Sequence, residues 1–185
     1  MILPVYAYGQ PILKKVAKDV NLDNPELGPL IADMWETMYN AQGIGLAAPQ
    51  IGRSLRIFLV DTVQAMDEGE EDKGIKKAFI NARIVEEGGE EWPYEEGCLS
   101  IPDIRGDVRR HEQVKIEYTD LDGHAFTEIY EGINARVIQH EYDHIEGKLF
   151  VDKLKPLKKK MINRKLESIK KGKVKPSYRM RFAKM

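Results

Sequence analysis

His140-Glu141-Tyr142-Asp143-His144 reads H-E-x-x-H, and its spacing sets the architecture expected of the whole chain. On a helix, residues four apart lie on one face, one turn above the other. Two imidazoles so placed can bind one metal ion together, with Glu141 beside them, in reach of a water on that ion. The run-up supports a helix: Ile133, Val137, His140 and His144 share 3.6-residue spacing, which puts the histidines on the apolar, inward stripe. Gly132 precedes the run and Gly147 follows it, a start and a C-terminal stop. The bland alternative is a pair of satisfied core histidines, yet two of the chain's four histidines fall in this one motif. A tetrahedral catalytic site needs a third protein ligand and an open position.

Three candidates compete for that place. One metalloprotease pattern puts a histidine six residues after the second, but Phe150 stands there and the pattern fails. A downstream glutamate would complete a two-His, one-Glu site; Glu167 is available, although it lies in a lysine-dense surface helix. The third is Cys98, within Glu95-Glu96-Gly97-Cys98-Leu99-Ser100-Ile101-Pro102. It could be plain core, or a thiolate that a divalent metal holds deprotonated. Cys98 is the only cysteine, which excludes an internal disulfide and fits a reducing compartment.

A chain of 185 residues is long enough for one domain with a real core. With 42% hydrophobic and 32% charged residues it has the composition of a soluble globular protein. No leader is legible in Met1-Ile2-Leu3-Pro4-Val5-Tyr6 and no run approaches the ~20 apolar residues of a membrane span, so a cytoplasmic protein without a membrane partner is expected. The net charge of −1 hides an asymmetry: residues 153–185 hold 14 Lys and Arg against one acid, Glu167, leaving 15 basic and 29 acidic side chains in residues 1–152. A +13 tail on a −14 body points to contact with a polyanion such as RNA, with a solvated lysine-rich helix as the competing reading.

Residues 1–24 read as irregular, with a short helical turn near Leu13–Lys18. A helix is expected over Pro25–Ala41, capped by Asn24, with Pro25 in its first position, Glu26 complementing its dipole and Gly43 as C-terminal cap. Its stripe of Leu27, Leu30, Ile31, Met34 and Met38 is core. Next comes Gly43-Ile44-Gly45-Leu46-Ala47-Ala48-Pro49-Gln50-Ile51-Gly52. It lacks the Gly-Lys-Ser/Thr of a phosphate loop. It is either a structural loop or an active-site wall whose backbone meets a substrate, with Gln50 offering an amide. Leu55–Val60 and Lys77–Val85 read as strands, with an acidic, solvated loop at Asp67–Asp72 between them. Val114–Thr119 and Ala125–Tyr130 read as a hairpin turning at Asp120-Leu121-Asp122-Gly123. The tail opens with Pro156 as an amphipathic helix ending near Gly172. Residues 1–172 thus form one domain, and 173–185 a basic tail, extended or disordered.

Taken together, Gly43-Ile44-Gly45-Leu46-Ala47-Ala48-Pro49-Gln50, Glu96-Gly97-Cys98-Leu99-Ser100 and His140-Glu141-Tyr142-Asp143-His144 closely resemble the three signature motifs of bacterial peptide deformylase, in the same order and spacing. The resemblance spans nearly the whole chain; the acidic insert near Asp67–Asp72 and the basic stretch after Gly172 depart from the common pattern. It implies an α+β fold, antiparallel sheets around a metal-binding helix with the other two helices outside. It implies a hydrolase that takes the N-formyl group from formyl-methionine of nascent peptides, with Cys98, His140 and His144 as ligands of one divalent metal. That metal would be ferrous iron, with zinc, nickel or cobalt able to replace it. Glu141 would be the general acid and base, Gln50 and the Leu99 N–H the donors to the developing oxyanion. Ile44 and Gly45 would hold the substrate backbone, with Ile44, Leu99, Ile133, Val137 and His140 walling the methionine pocket and Arg105 near its rim. Terminal helices of the family also suggest docking on the ribosome through the basic segment; no DNA partner is implied. The rivals are a zinc endopeptidase using His140, His144 and Glu167, and a binding module with a structural metal completed by His111 or His124.

Overall fold

Alternation decides the sheet. In Ile101–Thr119 the residues Ile104, Gly106, Val108, Arg110, Val114, Ile116 and Tyr118 turn inward while Arg105, Asp107, Arg109 and Glu117 face solvent, the period-2 signature of a half-buried strand. The computed structural model describes residues 1–183; Lys184 and Met185, the end of the basic tail, lie outside the described residues. The chain is α+β. Its elements are β1 (Val5–Tyr6), α1 (Leu27–Asn40), β2 (Gly45–Ala47), β3 (Ile57–Asp61), β4 (Lys76–Cys98), β5 (Ile101–Thr119), β6 (Ala125–Glu131), α2 (Gly132–Ile145), α3 (Pro156–Lys170) and β7 (Met180–Arg181). Strands β2-β3-β4-β5-β6 form an antiparallel sheet in that order, and β1 pairs in parallel with β7.

Helix α2 packs against β2, β3, β5 and β6. Ten of its 14 residues are buried, including His140, Glu141 and His144. One apolar cluster joins its Ala135, Val137, Ile138 and Ile145 to Phe58, Phe79, Ile116 and Tyr118 of the sheet. A second seats α1 on β2 and β3 through Ile31, Met34, Met38, Leu46 and Leu59. The third holds α3, through Ile162, Leu166 and Ile169, against Ile101, Ile104 and Val108 of β5.

Several boundaries differ from the sequence reading. Helix α1 begins at Leu27, two residues after Pro25, because Asn24 Oδ1 accepts from Glu26 N at 3.0 Å and closes a turn ahead of the helix. At its other end the left-handed residue is Gln42 (φ +57), not Gly43. Gln42 N bonds Tyr39 O and Gly43 N bonds Met38 O, the paired closure that ends a helix when the residue after the cap turns left-handed. Gly43 is needed for another reason: a Cβ there would lie 2.8 Å from Leu99 Cδ1. The strand expected at Lys77–Val85 runs on to Cys98, paired along β5 through register shifts near Gly88. After Gly172 the described tail is extended and returns to the body as β7. The hairpin of β5 and β6 closes as expected, with Thr119 opposite Ala125.

Candidate metal centre and substrate cleft

Three elements converge on one point. Helix α2 stacks His140 above His144, ring centroids 5.2 Å apart, as i,i+4 spacing requires. Strand β4 ends at Cys98, whose Sγ lies 3.4 Å from His144 Nε2. Ligand atoms of Cys98, His140 and His144 all lie within 4.8 Å of one another, close enough to meet a single ion. A thiolate and two imidazoles form a three-ligand set that leaves a tetrahedral position open. Glu167 sits on α3 and takes no part in this group, and neither does His111 or His124.

The Gly43–Gly52 stretch supplies the facing wall. Gln50 Oε1 accepts from Ala47 N at 2.9 Å, which turns its Nε2 toward Ser100 Oγ (3.2 Å) and Cys98 Sγ (3.4 Å). A Cβ on Gly45 would stand 2.4 Å from Glu141 Oε1. Gly45 is therefore a glycine because the Glu141 carboxylate lies against its backbone.

Charge around the cluster is arranged in a buried chain. His140 Nδ1 is 2.8 Å from Glu96 Oε1. Arg110 grips Glu96 with two bonds, Nε to Oε2 at 2.7 Å and Nη2 to Oε1 at 3.0 Å, and reaches Asp143 Oδ2 at 2.8 Å. Arg136 Nη1 adds a bond to Glu96 Oε2 at 2.9 Å and one to Val108 O at 2.7 Å, its guanidinium 4.6 Å above the Trp92 ring. With Nδ1 committed to Glu96, His140 is left with Nε2 to face the cluster. Burial opposes the charge of Glu96, but hydrogen bonds from His140 and Arg110 prevail and hold its carboxyl well below the usual range. Burial pushes His144 well below its ordinary value, so its imidazole is neutral, the form that ligates metals. Glu141 is pushed up to about 7, chiefly by burial. Glu141 Oε2 is buried and without a hydrogen-bond partner. An unpartnered carboxylate oxygen beside a thiol and two imidazoles fits a site built to receive a metal and a water.

A cleft of about 530 Å³ opens over the cluster, in the size range of small-ligand sites. Ile44, Gly45, Gln50, Cys98, Leu99, Arg105, Val137, His140 and Glu141 line it. Ile133 does not: it packs on the apolar cluster around Phe79 and Tyr118. Arg105 is exposed and ion-paired with Glu95 at 2.8 Å. Residues not singled out from sequence also belong to the site. Glu96 bonds His140 and is itself held by Arg110 and Arg136, with Asp143 on Arg110, while Tyr94, Pro176, Ser177 and Tyr178 line the cleft. Glu96 stands two residues before Cys98 within a motif already in view; an arginine between Ala135 and Val137 on an inward face was the one local signal for Arg136.

Residues 2–160 match the family model described as polypeptide deformylase. The chain is 54% identical to a peptide deformylase of Christiangramia forsetii, over 98% of this chain and 96% of that protein. It is also 54% identical to one of Flavobacterium johnsoniae, covering 99% and 97% of the two. A crystal structure of a peptide deformylase from Legionella pneumophila superposes with a TM-score of 0.81 at 42% identity, over 94% of this chain and 98% of that one.

Proposed function

The chain belongs to the polypeptide deformylase family, and from that premise we propose how its residues divide the work. The protein is a hydrolase that removes the N-formyl group from nascent polypeptides. The convergence of Cys98, His140 and His144 beneath the cleft is the observation that carries the division of roles. These three hold one divalent metal, making α2 the metal-bearing helix of the fold. That ion supplies Lewis acidity, lowering the pKa of water from ~15.7 toward ~7. Ferrous iron is the ion we infer, a borderline metal for which thiolate and imidazole donors are suited, as they are for zinc, nickel or cobalt.

The chain's own groups do the rest. Glu141 takes the proton of the attacking water and returns it to the departing amine of methionine; its unpartnered Oε2 leaves an acceptor free for that proton. Gln50 Nε2 and the Leu99 N–H donate to the formyl oxygen as its carbon becomes tetrahedral, and loss of one such donor typically costs ~10²–10³ in rate. Ile44 and Gly45 align the peptide in extended form. Ile44, Leu99 and Val137 face the methionine side chain. Acetyl carries a methyl where formyl carries hydrogen, and a tight wall at the reacting carbon, separate from the side-chain pocket, excludes it.

The catalytic domain takes in residues 1–172 together with the described part of the basic segment beyond, which pairs with β1 and lines the cleft. We infer that α3 and this segment dock on the ribosome, which is supported by the +13 charge of residues 153–185. Work on nascent chains suits the cytoplasm; no helix among the described residues is long and apolar enough to cross a membrane.

Formate release from a formyl-Met tripeptide by protein purified without oxygen tests the reading. Acetyl-Met and an internally cleavable peptide serve as comparators. Formate from the formyl substrate alone, abolished by a chelator, is expected. Internal cleavage instead would contradict the deformylase reading.

A further inference from the structure

The segment after α3 comes back to the cleft. Val5 N and Ala7 N donate to Arg179 O and Arg181 O, both at 2.9 Å, and Gln10 Nε2 donates to Phe182 O at 2.9 Å. Met180 and Phe182 pack on the cluster that holds α3 to β5. The arm so fixed brings Pro176, Ser177 and Tyr178 into the cleft lining. There the Tyr178 hydroxyl donates to the Leu99 carbonyl at 2.7 Å. Leu99 is held from two further directions: its side chain is wedged against Gly43, and the next carbonyl, Ser100 O, accepts from Tyr8 N at 2.8 Å. Burial pushes the Tyr178 phenol up from its ordinary value, so it is a donor at neutral pH.

We propose that the C-terminal arm is a built part of the active site and that Tyr178 is a positioning residue. Its hydroxyl holds the Leu99 backbone so that the Leu99 N–H and Gln50 Nε2 meet one oxygen. The role rests on the deformylase reading above. Without the hydroxyl the Leu99–Ser100 peptide is free to turn, and through the Leu99 Cα the adjoining Cys98–Leu99 peptide, which carries the donor N–H, loses its aim as negative charge develops. The loss is felt in the transition state and not in substrate binding.

The test is Tyr178→Phe in the full chain, loaded with metal and assayed on a formyl-Met tripeptide beside the wild-type enzyme. Metal content, thermal midpoint and amide hydrogen exchange over residues 96–101 are read on the same samples. Expected are a kcat lower by about fivefold, on the scale of one hydrogen bond, with unchanged KM. Metal content and midpoint should stay unchanged, and exchange over 96–101 should quicken. An unchanged kcat overturns the role. So does a loss of activity matched by lost metal or a lowered midpoint, because a purely structural contact would produce it, and so does a rise in KM alone. Silence of the wild-type enzyme overturns the deformylase reading and this role with it.

Discussion

Arg110 and Arg136 lie buried around Glu96, while Lys159, Lys160, Arg164 and Lys165 stand exposed along α3. The two groups carry the same charge and do opposite things with it. Each buried arginine bonds a carboxylate and, through Glu96, reaches a ring nitrogen of His140. In that low-dielectric setting the charges fix geometry, and removing one member strands the others. The α3 charges are solvated and screened; they hold nothing in place and are free to attract a distant polyanion.

The largest effect expected from this contrast is on stability at the buried end. Arg110→Met keeps the volume but leaves Asp143 without its guanidinium and Glu96 with that of Arg136 alone, and should cost about 3–5 kcal/mol in urea unfolding. A loss below about 1 kcal/mol, the scale of a surface pair, would erase the distinction between the two regions. Next comes Gly45→Ala, which sets a Cβ 2.4 Å from Glu141 Oε1. The carboxylate must move by a substantial part of an ångström, and kcat should fall about 10²-fold with the fold intact. Unaltered turnover would mean that Glu141 need not lie against that wall. The smallest effect belongs to α3. Lys159→Glu with Lys160→Glu should change stability by no more than about 0.5 kcal/mol per site while weakening co-sedimentation with ribosomes at low salt. Equal co-sedimentation of both proteins would detach the basic face from any ribosomal role.

The same contrast explains what could be read from the sequence. His140, Glu141 and His144 were legible because the helix repeat alone brings them together. Cys98 was legible as one of several third ligands, singled out by a resemblance and not by spacing. The clamp on Glu96 was not: Arg110 and Arg136 lie 14 and 40 residues away, and register, not local pattern, joins them. Ile133 shares the histidine stripe in projection, yet two turns before His140 that stripe faces the sheet cluster and not the cleft. Strand β4 outran the expected Lys77–Val85 because the acidic, glycine-bearing residues Glu86–Glu91 carry no apolar alternation, yet they pair across bulges with Lys115–His111 of β5. The arm had no readable pattern because its partner strand begins at Val5, at the far end of the chain.

The central claim is that Glu141 moves the proton while Cys98, His140 and His144 hold the metal. Glu141→Gln tests it most directly, compared with the wild-type enzyme at equal metal per chain and equal thermal midpoint, with formate from a formyl-Met tripeptide as readout. The account predicts a folded, metal-loaded protein whose kcat is lower by about 10²–10⁴-fold, the usual contribution of a positioned acid–base group. Wild-type turnover in that metal-matched variant would contradict it.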